Sequence, residues 1–452
     1  MRRVVVIGGG IAGLAAAWTA SRRARQLADG VEVVLLEKER QVGGKARSVT
    51  RDGWLVESGP GGFLGGRPEL TQLIDQAGLT GDARPANAAA ARRFIYRAGK
   101  VREIVANPVG FALAGILSPL GLLRLMGEPF VPQRRDGIEE TVWAFAARRI
   151  GREAADRLVM PMTLGIFAGD AKRLSLPAAF PRMEALEREH GSLIRGLIAR
   201  RGKTSSGTLT SFDAGIETLP RALAACGDFT VRCGAEVTGI ERLGRTWKVR
   251  IAGDAEPLTA DVVVLAGEPW AVAPLLRPLN DAAADDLDGI YCPPVTVVGL
   301  GYRLEDAPAV PRGFGVLITR GQGYRMLGNL WDSHIFPQRS PDGHVLIRLM
   351  LGGAVDPDAG RLTEDEALDL ARDEVSRLYG ITAAPRHERV VRWPRAIAQY
   401  ELGHPARRTR IEGAVGALGG LVIGGSGLHG VAFGDAAASG VRCGEQAVEF
   451  LR

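Results

Sequence analysis

The stretch VVVIGGGIAGLAAAW, Val4–Trp18, decides how the rest of the chain is read. Val4 to Ile7 is a short apolar run, as a buried parallel strand requires. Gly8-Gly9-Gly10-Ile11-Ala12-Gly13 follows, and then an Ala-rich segment that predicts a helix to about Arg25. Gly8 permits the tight turn out of the strand, Gly10 lets the backbone approach a pyrophosphate, and Gly13 lets the helix lie close to the strand. The helix N-terminus, with Ile11 and Ala12 in its first turn, then turns unsatisfied N–H groups toward the phosphates.

A second apolar run, Val31 to Leu36, ends in Glu37, where a carboxylate accepts hydrogen bonds from ribose hydroxyls. Strand, glycine turn, helix, second strand and acid in that order specify a dinucleotide site far better than glycines alone. Two arginines ahead of an apolar run imitate a secretion signal. The phosphate reading of the glycines argues against it, and no cleaved segment is expected.

Composition narrows the remaining classes. A chain of 452 residues that is 46% apolar supports two or three domains with a large core. A net charge of +6 is modest at this length and leaves no nucleic-acid footprint. Cys226, Cys233, Cys292 and Cys443 form no C-x-x-C pair, and the six histidines show no metal spacing, so no metal site is expected. Reduced, mostly buried thiols fit a cytoplasmic protein. No G-x-S-x-G turn or other hydrolytic constellation stands out.

Further along, residues 92–203 look mainly helical, and Asp136-Gly137-Ile138-Glu139 reads as a capping box opening a helix through Phe145. Val231 to Ile240 and Trp247 to Ile251 read as a small meander, and Val262 to Ala266 and Pro294 to Leu300 as strands. Thr363-Glu364-Asp365-Glu366 opens an amphipathic helix that Gly380 ends. The run IVANPVGFALAGILSPLGLL, Ile104–Leu123, has no ionisable side chain, but Pro108, Pro119 and three glycines break it, so touching a membrane is expected rather than spanning one. Helical core is the alternative for that run.

Past Glu37, the run Lys38-Glu39-Arg40-Gln41-Val42-Gly43-Gly44-Lys45-Ala46-Arg47 resembles the second dinucleotide segment of flavoenzymes related to amine oxidases. The resemblance implies FAD, with Lys38, Gly44, Lys45 and Arg47 along it; residue chemistry alone also allows a solvated basic loop. Trp54-Leu55-Val56-Glu57-Ser58-Gly59-Pro60-Gly61-Gly62-Phe63-Leu64 is similar to the E-x-G-P-x-x-F-L of the protoporphyrinogen and coproporphyrinogen oxidase family. Glu189-His190-Gly191-Ser192-Leu193-Ile194, Gly165-Ile166-Phe167-Ala168-Gly169-Asp170, Ser211-Phe212-Asp213-Ala214-Gly215 and Gln399-Tyr400-Glu401-Leu402-Gly403-His404 resemble four more of its motifs. The likeness runs from the first strand to the last helix.

This resemblance implies an α/β architecture. A Rossmann-type FAD-binding domain (1–68, 230–292, 389–452) interleaves with a mixed-sheet substrate domain (69–91, 204–229, 293–388) and a helical, membrane-facing domain (92–203). It implies that Gly59, Pro60, Gly61, Val237, Trp393, Gly425, Gly430, Val431 and Ala432 also contact FAD. It places Gly165, Phe167, Phe314, Leu317, Leu330 and Met350 beside the substrate, although core packing is the preferred reading of Phe314, Leu317, Leu330 or Met350 taken singly. Arg67 is the nearest basic residue for a substrate propionate. The implied activity is oxidation of a porphyrinogen by hydride transfer to flavin, with no protein acid or base and with dioxygen as acceptor. Peripheral membrane contact and a homodimer are further expectations.

Ala398, Gly434, Ala436, Leu428 and the Gly65-Gly66 pair depart from the family pattern, which bears on the substrate more than on the fold. The alternatives are a related amine oxidase or carotenoid desaturase, and a flavin-free lipid-binding protein like the GDP dissociation inhibitors.

Overall fold

The computed structural model describes residues 2–25, 27, 30–105, 107–200 and 207–452, apart from the side chain of Pro108. A five-stranded parallel sheet runs in the order Thr230–Cys233, Val31–Glu37, Arg2–Ile7, Val262–Leu265 and Leu421–Ile423. Helices Ile11–Ala24 and Phe433–Glu449 cross on one face of it. Their contact depends on glycine: a Cβ on Gly440 would lie 2.0 Å from the Ala12 carbonyl oxygen, and one on Gly444 2.5 Å from that of Ala16. The other face carries an antiparallel sheet of Val237–Leu243, Thr246–Ile251 and Leu258–Ala260, with Trp247 fully buried beneath it. The run Val231 to Ile240, expected as one strand, is two. Gly234, at φ +70°, turns the chain out of the parallel sheet before Val237 starts the antiparallel one.

The second layer is a seven-stranded mixed sheet ordered His387–Trp393, Val295–Arg303, His344–Gly352, Met326–Trp331, Gly315–Ile318, Phe94–Arg97 and Lys100–Glu103. Helix Glu364–Tyr379 covers one face with Ala367, Ala371 and Val375. Its expected capping box is present, and Gly380 ends it at φ +68°. Residues 94–103 were expected in the helical segment. They form a hairpin instead, turning at Ala98-Gly99 with positive φ and pairing in parallel with Gly315–Ile318. The strand His387–Trp393 likewise carries the sheet past the boundary expected at 389.

Residues between 108 and 200 are mainly helical. Glu-His-Gly-Ser-Leu-Ile, residues 189–194, serves the fold there. Ser192 Oγ donates to buried Glu128 (2.5 Å), as do the N–H groups of Leu193 (2.8 Å) and Ile194 (3.1 Å), and Arg149 pairs with the same carboxylate. Glu128 thereby caps helix Leu193–Ala199, with its pKa held low against burial by these donors. The capping box expected at Asp136 does not form. Gly137 takes φ +70°, Asp136 closes a turn on Ile138 N (3.0 Å), and Thr141 caps helix Val142–Ile150 instead.

The apolar run Ile104–Leu123 forms two short helices, Pro108–Leu113 and Pro119–Met126, capped by Asn107 and Ser118. Ile116 and Leu117 are core, whereas Val109, Leu113, Leu120, Leu123, Met126 and Phe130 are exposed. Among the described residues, no helix is long and apolar enough to cross a membrane.

Candidate cofactor and substrate site

The first glycine turn has the geometry its spacing requires. Gly8 sits at φ +111° and donates to the Leu36 carbonyl (2.8 Å). A Cβ on Gly13 would fall 1.8 Å from the Gly8 carbonyl oxygen, so only glycine lets the helix start there. A Cβ on Gly10 would meet no atom of the described residues within 4 Å: the backbone faces open space at the N-terminus of helix Ile11–Ala24, beside Ile11 and Ala12. Glu37 is buried at the end of its strand and accepts from the N–H of Gly9 (2.5 Å) and of Glu39 (2.8 Å).

The second segment docks against this turn. Gly43 N donates to the Gly9 carbonyl (2.8 Å), and a Cβ on Gly44 would come 3.3 Å from Gly10 Cα. Lys45 pairs with Glu268 (2.6 Å), and the Lys38 ammonium lies 5.2 Å from the Trp270 ring centroid. Val237 is brought alongside because Ala235 N donates to the Glu37 carbonyl (2.9 Å). Among the described residues, buried Arg47 Nε, Glu268 Oε2 and Trp270 Nε1 have no hydrogen-bond partner. Buried polar atoms are rarely left so, and three of them around an open glycine turn fit a large polar ligand. Sequence reasoning missed Glu268 and Trp270. The signal was their position directly after the strand Val262–Leu265, at the end of the sheet where nucleotides bind.

The Glu57–Gly61 loop is held from below by buried charge. Arg348 donates to the carbonyls of Glu57 (3.4 Å) and Gly59 (2.7 Å) and pairs with Asp332 (2.6 Å). Arg339 pairs with Glu57 (2.7 Å) and reaches the Gly61 carbonyl (3.5 Å). Trp393 Nε1 donates to the Ser58 carbonyl (2.7 Å), so Trp393 pins this loop. Burial raises the Glu57 pKa against the opposing pull of Arg339 and of Ser48. The glycines permit the close fit: a Cβ on Gly59 would stand 2.5 Å from the Lys45 carbonyl oxygen, and one on Gly61 2.6 Å from Arg348. Pro60 lies between them, half-buried.

The last loop closes the site. Gly425 (φ +106°) lies beside Ala12, and Gly430 (φ +118°) donates to Tyr400 Oη (2.7 Å), which itself donates to the Ser426 carbonyl (2.5 Å). Val431 and Ala432 lead into helix Phe433–Glu449, whose N-terminus favours negative charge. Arg67 pairs with Asp435 of that helix, so its charge is already matched.

One face of the seven-stranded sheet looks toward this region. Leu317 pairs with Gly328, which pairs with Met350; Leu330 pairs with Arg348 and Gly315. Residues opposite one another, or two apart along a strand, share a face. Leu317, Leu330, Met350 and Arg348 therefore lie on one side, where Arg348 reaches the Glu57–Gly61 loop. Leu317, Leu330 and Met350 are half-buried. Gly165 meets them, since a Cβ there would come 2.7 Å from Leu317 Cδ2. Phe314 packs beside Leu330 and Phe336. Phe167 lies elsewhere: it is 4% exposed and packs edge-on against Phe180 and Tyr400, in the core behind the last loop.

A parallel sheet with a glycine turn, a ribose acid and a second glycine segment, facing an apolar sheet across a loop, defines an FAD-dependent oxidoreductase. The groups that would hold FAD are Glu37 at the ribose, the turn Gly8–Gly13 at the pyrophosphate, Arg47 and Lys45 along it, and Gly425–Ala432 at the ring. The chain belongs to the flavin-containing amine oxidoreductase family, whose model matches residues 11–447.

Among its relatives, a chloroplastic protoporphyrinogen oxidase of Nicotiana tabacum is 31% identical over 98% of this chain and 84% of its own. One from Oryza sativa subsp. japonica is 33% identical over 98% and 86%. The coproporphyrinogen III oxidase of Bacillus subtilis is 27% identical over 100% and 98%. A crystal structure from Exiguobacterium sp. 255-15 superposes with a TM-score of 0.87 at 23% identity, covering 100% of this chain and 99% of that one, and extends the likeness in fold to the whole molecule.

Proposed function

We propose that the chain oxidises a porphyrinogen, protoporphyrinogen IX or coproporphyrinogen III, to the porphyrin. The observation that carries this reading is the apolar sheet face of Leu317, Leu330 and Met350 set toward the cofactor loops, with Gly165 packed closely against Leu317 at its edge. A flat macrocycle needs such a slot and few polar anchors. When bound, FAD supplies the two-electron acceptor for a methylene-bridge C–H. The chain orients the macrocycle, and the pyrrole N–H proton that leaves with each hydride is released to solvent. With Arg67 paired to Asp435, the Arg93 guanidinium, 5.2 Å from the Phe314 ring centroid, is the cation at the rim of the slot for a propionate. Dioxygen is the proposed final acceptor. Comparing kcat/KM for the two porphyrinogens under air, with porphyrin fluorescence as readout, tests the reading: turnover of at least one supports it and turnover of neither overturns it.

The proposed location is cytoplasmic with peripheral membrane contact. Leu113, Leu120, Leu123, Met126 and Phe130 present an apolar surface on and beside two short helices, which suits an apolar substrate arriving from a bilayer. Leu117, being core, is not part of that surface. Leu113→Asp with Leu123→Asp is expected to abolish flotation with liposomes; unchanged flotation removes the proposal.

A further inference from the structure

A chain of hydrogen bonds runs from the surface into the last cofactor loop and takes no part in the chemistry above. His429 Nε2 lies 2.6 Å from Glu412 Oε1, Ser439 Oγ lies 3.0 Å from His429 Nδ1, and Gly425 N donates to Ser439 Oγ at 2.9 Å. Three elements meet here: helix His404–Ala417, the loop before residue 433, and the middle of helix Phe433–Glu449.

The two ends of the chain are fixed. The Gly425 amide can only donate. Glu412, whose pKa is held low chiefly by His429, is an acceptor. With the imidazole neutral and protonated on Nε2, Ser439 Oγ accepts from the Gly425 N–H and donates its own hydroxyl to Nδ1, and Nε2–H donates to Glu412. Each group uses the donor and acceptor capacity this order demands. Ser439 is 1% exposed, so no substrate reaches its hydroxyl and the array is no nucleophile–base pair. Its terminus is Gly425, which sits against Ala12 and the carbonyl oxygens of Ala266 and Gly267, at the junction of the first and last cofactor loops. Tyr400 pins the far end of the same loop through Ser426 and Gly430.

We propose that Glu412, His429 and Ser439 act as positioning residues that hold Gly425 in register with the phosphate-binding turn, so that retention of FAD depends on them. Removing one buried hydrogen bond costs up to about 1.5 kcal/mol, a factor of about ten in affinity, and loss of this chain is expected to weaken FAD binding by about that factor. The test is FAD binding to apoprotein, followed by flavin fluorescence, which involves no porphyrinogen and stands or falls apart from the substrate assignment. Ser439→Ala and His429→Leu are each expected to raise the Kd for FAD about tenfold, and the double variant no more than either alone. His429→Gln, whose amide offers one acceptor and one donor in the order required, is expected to keep the wild-type Kd. Unchanged Kd in Ser439→Ala, additive losses in the double variant, or failure of His429→Gln to rescue would each overturn the proposal.

Discussion

Acidification should loosen the last cofactor loop through His404. This imidazole is 3% exposed and stacks on Tyr400 with ring centroids 4.0 Å apart. Among the described residues, neither ring nitrogen has a partner that meets hydrogen-bond geometry. Burial, reinforced by Arg407 and Arg408, lowers its pKa from 6.5 to about 4. A neutral buried imidazole contributes stability that is complete above the unfolded value and is lost as pH falls toward the folded one, because the unfolded chain binds the proton first. The shift from 6.5 to about 4 corresponds to roughly 3 kcal/mol in full, of which about 2 kcal/mol is lost by about pH 5. Spread over the unfolding entropy of 452 residues, that is a fall of about 2 °C in Tm. The assay is the temperature of flavin release, followed by fluorescence between about pH 8 and pH 5, in wild type and in His404→Phe. Phenylalanine keeps the stack and cannot titrate, so its midpoint should fall less than that of the wild type by about that amount. Equal pH slopes in the two proteins would refute the reasoning.

Two other perturbations separate fold from ligand. Gly10→Ala meets no atom of the described residues within 4 Å and should leave the apoprotein Tm unchanged while weakening FAD binding, whereas Gly13→Ala, at 1.8 Å from Gly8, should impair both; thermal scans with and without FAD distinguish them. Arg348→Met strands the buried Asp332 carboxylate and should cost about 3–5 kcal/mol in urea denaturation. Arg348→Met with Asp332→Leu should recover part of that loss, and no recovery would mean that the pair is not what matters.

What the sequence made legible was local or periodic. The turn after Val4–Ile7 and the cap at Thr363 depend on neighbours in the chain, and both have the expected geometry. Asp136 misled because a cap also needs backbone that enters the helix, and Gly137 leaves it. The hairpin at 94–103 was hidden because its partner strand, Gly315–Ile318, lies more than two hundred residues away. The Glu57–Arg339 pair was invisible for the same reason, and the Arg348–Asp332 pair, although only 16 residues apart, because its burial is a property of the closed sheet face that no spacing encodes. Phe167 was placed at the substrate by likeness, but an aromatic two residues past Gly165 on a helix points elsewhere, here into Phe180 and Tyr400.

The account's central claim is that a porphyrinogen reduces the flavin held between these loops. Its most direct test is to mix the FAD-loaded protein with protoporphyrinogen IX or coproporphyrinogen III in the absence of oxygen and follow the flavin absorbance. Bleaching by at least one of them, with porphyrin appearing in step and the yellow colour returning on admission of air, is the predicted result. A flavin that stays oxidised with both, or that bleaches with a primary amine instead, would contradict the account.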